Sequence, residues 1–260
     1  MNTIHLNGAD FVYDIAGETH DETIILLHGG RGIGDHRGDF QVFAPLTDQF
    51  RVLAYDQRGC GATSLTPPYS FGQFADDLEA FRQHFLGDKK LILIGGSFGG
   101  MIALTYAVKY GDKLSHLILR GTAASHHHEA EAIANFNARL HKATSASIGM
   151  VDKMFSDKVV DDVELRLIWM ALQPLYYEHF DPDAAMEKTR TLQLHAETHN
   201  ELFKDKSYDL LDKLEAITVP TFVVCGGEDW ICPPSQSRII ADKPDIVLPA
   251  IRVFIARRRG

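Results

Sequence analysis

Residues 91–107 read LILIGGSFGGMIALTYA, an apolar run, a serine between two glycine pairs, and an amphipathic continuation. A chain written this way makes a strand, turns sharply and starts a helix. Further apolar runs recur along the sequence: FVYDIA, TIILL, RVLAY, KLILI, LSHLILR, TFVVC and IVLPAIRVFI. Several are apolar almost throughout, as strands of a parallel sheet are when both faces are covered. Between them Phe71, Phe74, Leu78, Phe81 and Phe85 fall at helical spacing, as do Met101, Leu104 and Val108. Strand and helix in alternation predict an α/β fold, a doubly wound and mostly parallel sheet.

The alternation stops after Arg120. From about Thr122 to Lys204 the pattern is helical, with no convincing strand, and strand logic resumes at TFVVC. Residues 122–204 are therefore expected to form a helical cap. Residues 1–121 and 205–260 are expected to form the core. Open α/β sheets bind ligands at the carboxyl ends of their strands, so such a cap would shape a pocket. A net charge of −9 argues against a nucleic-acid surface. No apolar run approaches a membrane span, and the first residues lack a leader pattern. Three cysteines without a CxxC pair suit a reducing compartment. A cytoplasmic enzyme without a cofactor, acting on a small molecule or short peptide, is the expectation, with self-association as a further possibility.

The segment GGSFG fits G-x-S-x-G, and its strand-before, helix-after context makes Ser97 a candidate nucleophile on a strained turn. A glycine-rich turn that merely holds a serine is the alternative. Acyl transfer needs donors for an oxyanion. The Phe98 N–H, at the start of a helix, is one candidate. The loop after TIILL, His28-Gly29-Gly30, offers a second in the Gly30 N–H. His28 itself reads as a structural hydrogen-bonding residue. The phosphate-loop pattern G-x-x-x-x-G-K-[ST] is absent, and G-x-G-x-x-G fits neither glycine cluster.

HGGRG, YDQRGCGAT and GGSFGG, in this order and spacing, resemble the α/β-hydrolase fold and, within it, the proline iminopeptidase family. The family signature has proline where Arg31 stands, serine at Thr63 and tryptophan at Phe98. The resemblance implies a serine hydrolase that removes N-terminal residues, proline above all, from small peptides. It implies Asp229, after TFVVC, as the acid of the catalytic triad. It points to Glu197, with Glu201 second, as carboxylates for the substrate's α-amine, although both could equally sit on a solvated helix face. Asp56 and Arg58 are expected to brace loops. Trp169, Tyr176, Tyr177 and Phe180 could line an apolar pocket or simply pack the cap.

The resemblance also implies a histidine base after the last strand, yet the sequence holds none between Asp229 and Gly260. The match fades near Lys243, so an altered or truncated ending is expected. No imidazole is then expected within hydrogen-bond reach of Ser97 Oγ unless His126, His127 or His128 substitutes. Metal binding by that triplet is disfavoured, because consecutive residues do not converge on one ion. A small-ester or lactone hydrolase and a catalytically impaired, binding-only protein stay open as alternatives. Dehalogenases and epoxide hydrolases use an aspartate where Ser97 stands.

Overall fold

The computed structural model describes residues 1–241. The expected strand IVLPAIRVFI and the expected altered ending lie outside the described residues.

Seven strands form one sheet among the described residues: β1 (Asn2–Leu6), β2 (Ala9–Ala16), β3 (Thr23–Leu27), β4 (Arg51–Tyr55), β5 (Leu91–Gly96), β6 (Leu114–Arg120) and β7 (Thr221–Val224). Their spatial order is β1-β2-β4-β3-β5-β6-β7. β1 pairs antiparallel with β2 and β2 antiparallel with β4, while every later pairing is parallel. The sheet is therefore mostly parallel, as the unbroken apolar runs implied.

Strand alternation feeds two cores, because successive side chains leave opposite faces of a strand. Ile25, Leu27, Leu53, Tyr55, Leu91 and Leu93 enter one core with α2 (Phe71–Leu86) and α3 (Phe98–Tyr110). Ile24, Leu26, Val52, Ala54, Ile92 and Ile94 enter the other, against Phe40 and Phe43 of α1 (Arg37–Phe43). The phenylalanines of α2 build the first core densely. Phe81 stacks on Tyr55 with centroids 4.0 Å apart, and Phe74 meets Phe98 edge-on at 5.4 Å. Ser70 caps α2 by accepting from the Gln73 N–H.

Between β6 and β7 the chain runs through α4 (His128–Arg139), α5 (Ile148–Met154), α6 (Asp162–Leu172), α7 (Pro182–Thr191) and α8 (Ala196–Lys204). All of these but α7 share an apolar cluster, built on Phe136, Val151, Leu165, Ile168, Leu172 and Phe203. Trp230, from the segment between β7 and α9 (Pro234–Ala241), reaches into that cluster and is 1% exposed. Among the described residues no helix is long and apolar enough to cross a membrane.

Buried ion pairs brace the core. Arg58 donates from Nε and Nη2 to the two oxygens of Asp77, at 2.8 and 2.7 Å, and from Nη2 to the Asn7 carbonyl. Asp56 accepts from the His36 N–H and His36 Nδ1 and from the Ala62 N–H. Both residues hold loops, as their place in the sequence suggested. On α2 the Glu79 carboxyl is pushed up by burial, but hydrogen bonds from Arg82, Tyr106 and Gln83 outweigh this and hold it at about 2. A depressed carboxyl stabilises the fold above its unfolded pKa and loses that contribution as pH falls through the folded value. The stability advantage of wild type over Glu79→Gln is therefore expected to shrink between pH 4.5 and about 2, read by denaturant titration across that range.

Candidate active site

The carboxyl ends of β3, β5, β6 and β7 open on one side of the sheet, where a cavity of about 1240 Å³ lies between them and the helices of residues 128–204. Its lining includes His28, Gly29, Gly30, Arg31, Ser97, Phe98, Gly121, His128, His199, Asp229 and Cys232.

Ser97 sits between β5 and α3 with φ 51° and ψ −118°, a left-handed backbone for a residue with a side chain. Such a conformation costs on the order of 1–3 kcal/mol and persists where surrounding structure enforces it. The enforcement is visible. The Ser97 N–H donates to the Arg120 carbonyl at 2.9 Å, and the Thr122 hydroxyl donates to the Ser97 carbonyl at 2.8 Å. The flanking glycines leave no room for a side chain: a Cβ on Gly99 would lie 2.2 Å from the Leu27 carbonyl oxygen, and one on Gly95 would lie 2.4 Å from that of Gly99. The turn thus presents the half-buried Ser97 side chain at the cavity floor.

The first amide donors of α3 to bond back are Gly100 and Met101, both to the Ser97 carbonyl. The Phe98 N–H precedes them, among the donors that a helix start leaves without an intrahelical acceptor. The loop after β3 crosses the nucleophile closely, since a Cβ on Gly29 would stand 3.2 Å from Ser97 Cβ and 3.8 Å from Oγ. Gly30 follows at φ 92°, where an added Cβ would collide with the Ile33 carbonyl at 2.0 Å. His28 is buried, its Nδ1 2.8 Å from the Gly29 carbonyl and its Nε2 facing the Gln57 N–H at 3.4 Å. It ties the loop to the next one, as expected.

Asp229 arrives on the segment after β7. Its Oδ1 accepts from the Ile231 and Cys232 N–H groups at 3.1 and 2.9 Å, and its Oδ2 packs against Gly121. Burial raises its pKa, with the two backbone donors and Arg139 pulling the other way. Burial also pushes the Cys232 thiol up, offset in part by the Ser97 hydroxyl beside it.

The structure brings Ser97, Phe98, Gly30 and Asp229 to one cavity but leaves out two expected residues. Glu197 and Glu201 are exposed on α8 and outside the lining, with Glu197 3.4 Å from the Tyr69 hydroxyl and Glu201 beside Lys204. The reason is helical phase. Ala196, Thr198, His199, Leu202 and Phe203 fill the buried face, so the two glutamates, four apart, share the opposite one. Of the aromatic candidates, Trp169, Tyr176 and Tyr177 line the cavity, whereas Phe180 does not and packs near Tyr177.

The histidine triplet divides similarly. His126 Nδ1 meets the Tyr208 carbonyl at 3.2 Å, and His127 lies 3.6 Å from Asp209. Only His128 of the three lines the cavity, with Nδ1 2.8 Å from the Ser125 carbonyl. Burial lowers its pKa to about 4 and does the same to His199, so both rings are neutral near pH 7. Among the cavity residues without an assigned role in the sequence reading are His199 and Arg31. For Arg31 the visible signal was its place in HGGRG, where the resembling family has proline.

A strained serine at a strand-to-helix turn, amide donors above it and a half-buried carboxylate after a later strand define a hydrolase of one class. The chain belongs to the family described as the alpha/beta hydrolase fold, whose model matches residues 22–256. Within it the chain belongs with the proline iminopeptidases. It is 46% identical to Proline iminopeptidase PfmaB of Pestalotiopsis fici, over 92% of this chain and 86% of that one. It is 28% identical to a proline iminopeptidase of Lactobacillus helveticus, over 91% of this chain and 84% of the other. A solved hydrolase from Pseudomonas aeruginosa shares the fold with a TM-score of 0.68 at 22% identity, covering 96% and 90% of the two chains. A thermophilic esterase from Thermogutta terrifontis does so at 0.66 and 24%, covering 94% and 88%.

Proposed function

We propose that Ser97 is the nucleophile of this proline iminopeptidase-like hydrolase, attacking the carbonyl of a small amide or ester. The oxyanion would be held by the Gly30 and Phe98 N–H groups, and Asp229 would supply the acid of the triad. The observation that carries the reading is the positive φ of Ser97 at the junction of β5 and α3, on the floor of the cavity. A neutral side chain is lifted there against donors that favour developing negative charge. N-terminal residues of short peptides, proline above all, are the substrates that the relatives' names support. We read residues 122–204 as the cap and the chain as cytoplasmic, a reading supported by its unpaired cysteines, Cys60, Cys225 and Cys232.

A second reading, slow turnover, is favoured by the histidine of the triplet that lines the cavity. His128 reaches the cavity with Nδ1 committed to Ser125 and with a pKa of about 4, which makes a weak base. General bases work best with a pKa near the operating pH.

The peptidase reading is tested by comparing prolyl-p-nitroanilide with its N-acetylated form. Faster cleavage of the free amine, by about tenfold or more, is the expected result, and equal rates would favour a general esterase. Glu197→Gln is expected to leave that preference unchanged, because its carboxylate lies outside the cavity lining.

A further inference from the structure

Arg31 stands in the cavity as a guanidinium that the protein solvates poorly. It is 6% exposed and lines the cavity that holds Ser97. Its Nη1 donates to Glu129 Oε1 at 3.3 Å and to the Leu202 carbonyl at 3.4 Å. Among the described residues Nη2 meets only the thioether of Met101, at 3.4 Å. A guanidinium can offer a carboxylate two parallel N–H bonds. Here it makes a single long one, and the same carboxylate lies closer to Lys206, at 2.5 Å.

Two cations thus share one anion beneath the cavity. The other acidic side chains of the lining do not redress this. Asp35, Asp39 and Glu228 are paired with Arg37, Arg120 and Arg139, Asp229 is held by backbone donors, and Glu178 is exposed to solvent. The ring of Phe203, 4.2 Å from the guanidinium carbon, and that of Phe71, at 5.8 Å, offset part of the cost of burying the charge. Neither ring satisfies an N–H. Burying a charge without its full set of hydrogen-bond partners is costly, and a ligand anion would complete the set.

The position is suited to a substrate. Met101, which touches Nη2, lies one helical turn beyond the nucleophile, and its N–H bonds the Ser97 carbonyl at 3.2 Å. A carboxylate at Nη2 and an acyl carbon at Ser97 can therefore belong to one small molecule.

We propose that Arg31 binds a carboxylate of the substrate, so that the cavity selects short peptides with a free C-terminal carboxylate near the scissile bond. This deepens the peptidase reading and rests on Ser97 as its reacting centre. Arg31 then determines specificity without chemistry of its own.

The test is equilibrium binding by calorimetry on the Ser97→Ala protein, which does not consume its ligand. The probes are the dipeptide Pro-Gly and its C-terminal amide, at pH 7. Pro-Gly is expected to bind at least about tenfold more tightly, the scale of a hydrogen bond to a charged group. In Arg31→Gln that preference is expected to vanish, and Arg31→Lys is expected to keep part of it. Should Arg31→Gln fail to fold, Glu129→Gln serves instead. Releasing the competing carboxylate is expected to widen the preference. A purely structural Arg31 would alter stability but not the ratio between the two ligands. Equal binding of both probes, no binding of either, or a preference unchanged without the guanidinium would overturn the proposal. If Ser97→Ala retained full turnover, the nucleophile assignment would fall instead, and the binding ratio would still report on Arg31.

Discussion

Ser97→Ala is expected to reduce hydrolysis of p-nitrophenyl acetate and of proline amides at least about a thousandfold, with the melting temperature nearly unchanged. The magnitude belongs to the first reading, in which the serine works with a base and an oxyanion hole; under the slow-turnover reading the loss is smaller, because removing the nucleophile costs little once the base is missing. The neutrality toward folding follows from local geometry. Alanine keeps the Cβ, so the strain at φ 51° is the same, and the bonds that enforce it involve the Ser97 N–H and carbonyl, not the hydroxyl. Steady-state kinetics and a thermal melt on the same preparation check both halves. A variant with undiminished turnover would place the chemistry elsewhere in the cavity.

Asp77→Ala is expected to cost about 3–5 kcal/mol, among the largest losses available from one side chain outside the apolar core. Arg58 and Asp77 are 2% and 1% exposed, and their charges meet at two points. Asp77 also accepts from Asn7 and Gln73, so its removal breaks these bonds as well and leaves the buried Arg58 guanidinium without its carboxylate. With total stabilities of roughly 5–15 kcal/mol, the loss takes about a fifth of the fold's margin or more. Urea unfolding measures it. Replacing both partners by apolar residues, Arg58→Met with Asp77→Leu, is expected to recover most of the loss, because no buried charge is then left alone. A loss confined to a few tenths of a kcal/mol in Asp77→Ala would mean that the pair is solvated in solution.

The parallel strands were legible because a strand covered on both faces must be apolar at every position, and β3 and β5 are buried throughout. β1 escaped notice for the opposite reason. NTIHL is an edge strand, antiparallel and mostly exposed, with no apolar pattern to betray it. The site was legible where chain order and turn chemistry dictate position. A serine flanked by glycines can occupy this turn, and an acid after a later strand lines the same cavity. Side-chain direction was harder to read. Glu197 and Glu201 were matched by their neighbours in sequence, but the phase of α8 is set by Leu202 and Phe203, whose burial turns both glutamates outward. Arg31 stood in plain view in HGGRG. Its inward aim depends on Phe203 and Glu129, about 170 and 100 residues away in the chain, which only the folded structure brings together.

Covalent labelling tests the nucleophile most directly. The protein is treated with a fluorophosphonate, which reacts with an activated serine hydroxyl and needs that hydroxyl beside an oxyanion hole. The adduct is then located by peptide mass spectrometry. The expected result is a single adduct on the peptide containing Ser97, absent from Ser97→Ala and formed more slowly in Asp229→Asn. A protein that hydrolyses its substrates while Ser97 stays unlabelled, or that carries the adduct on another residue, would contradict the assignment of Ser97 as nucleophile.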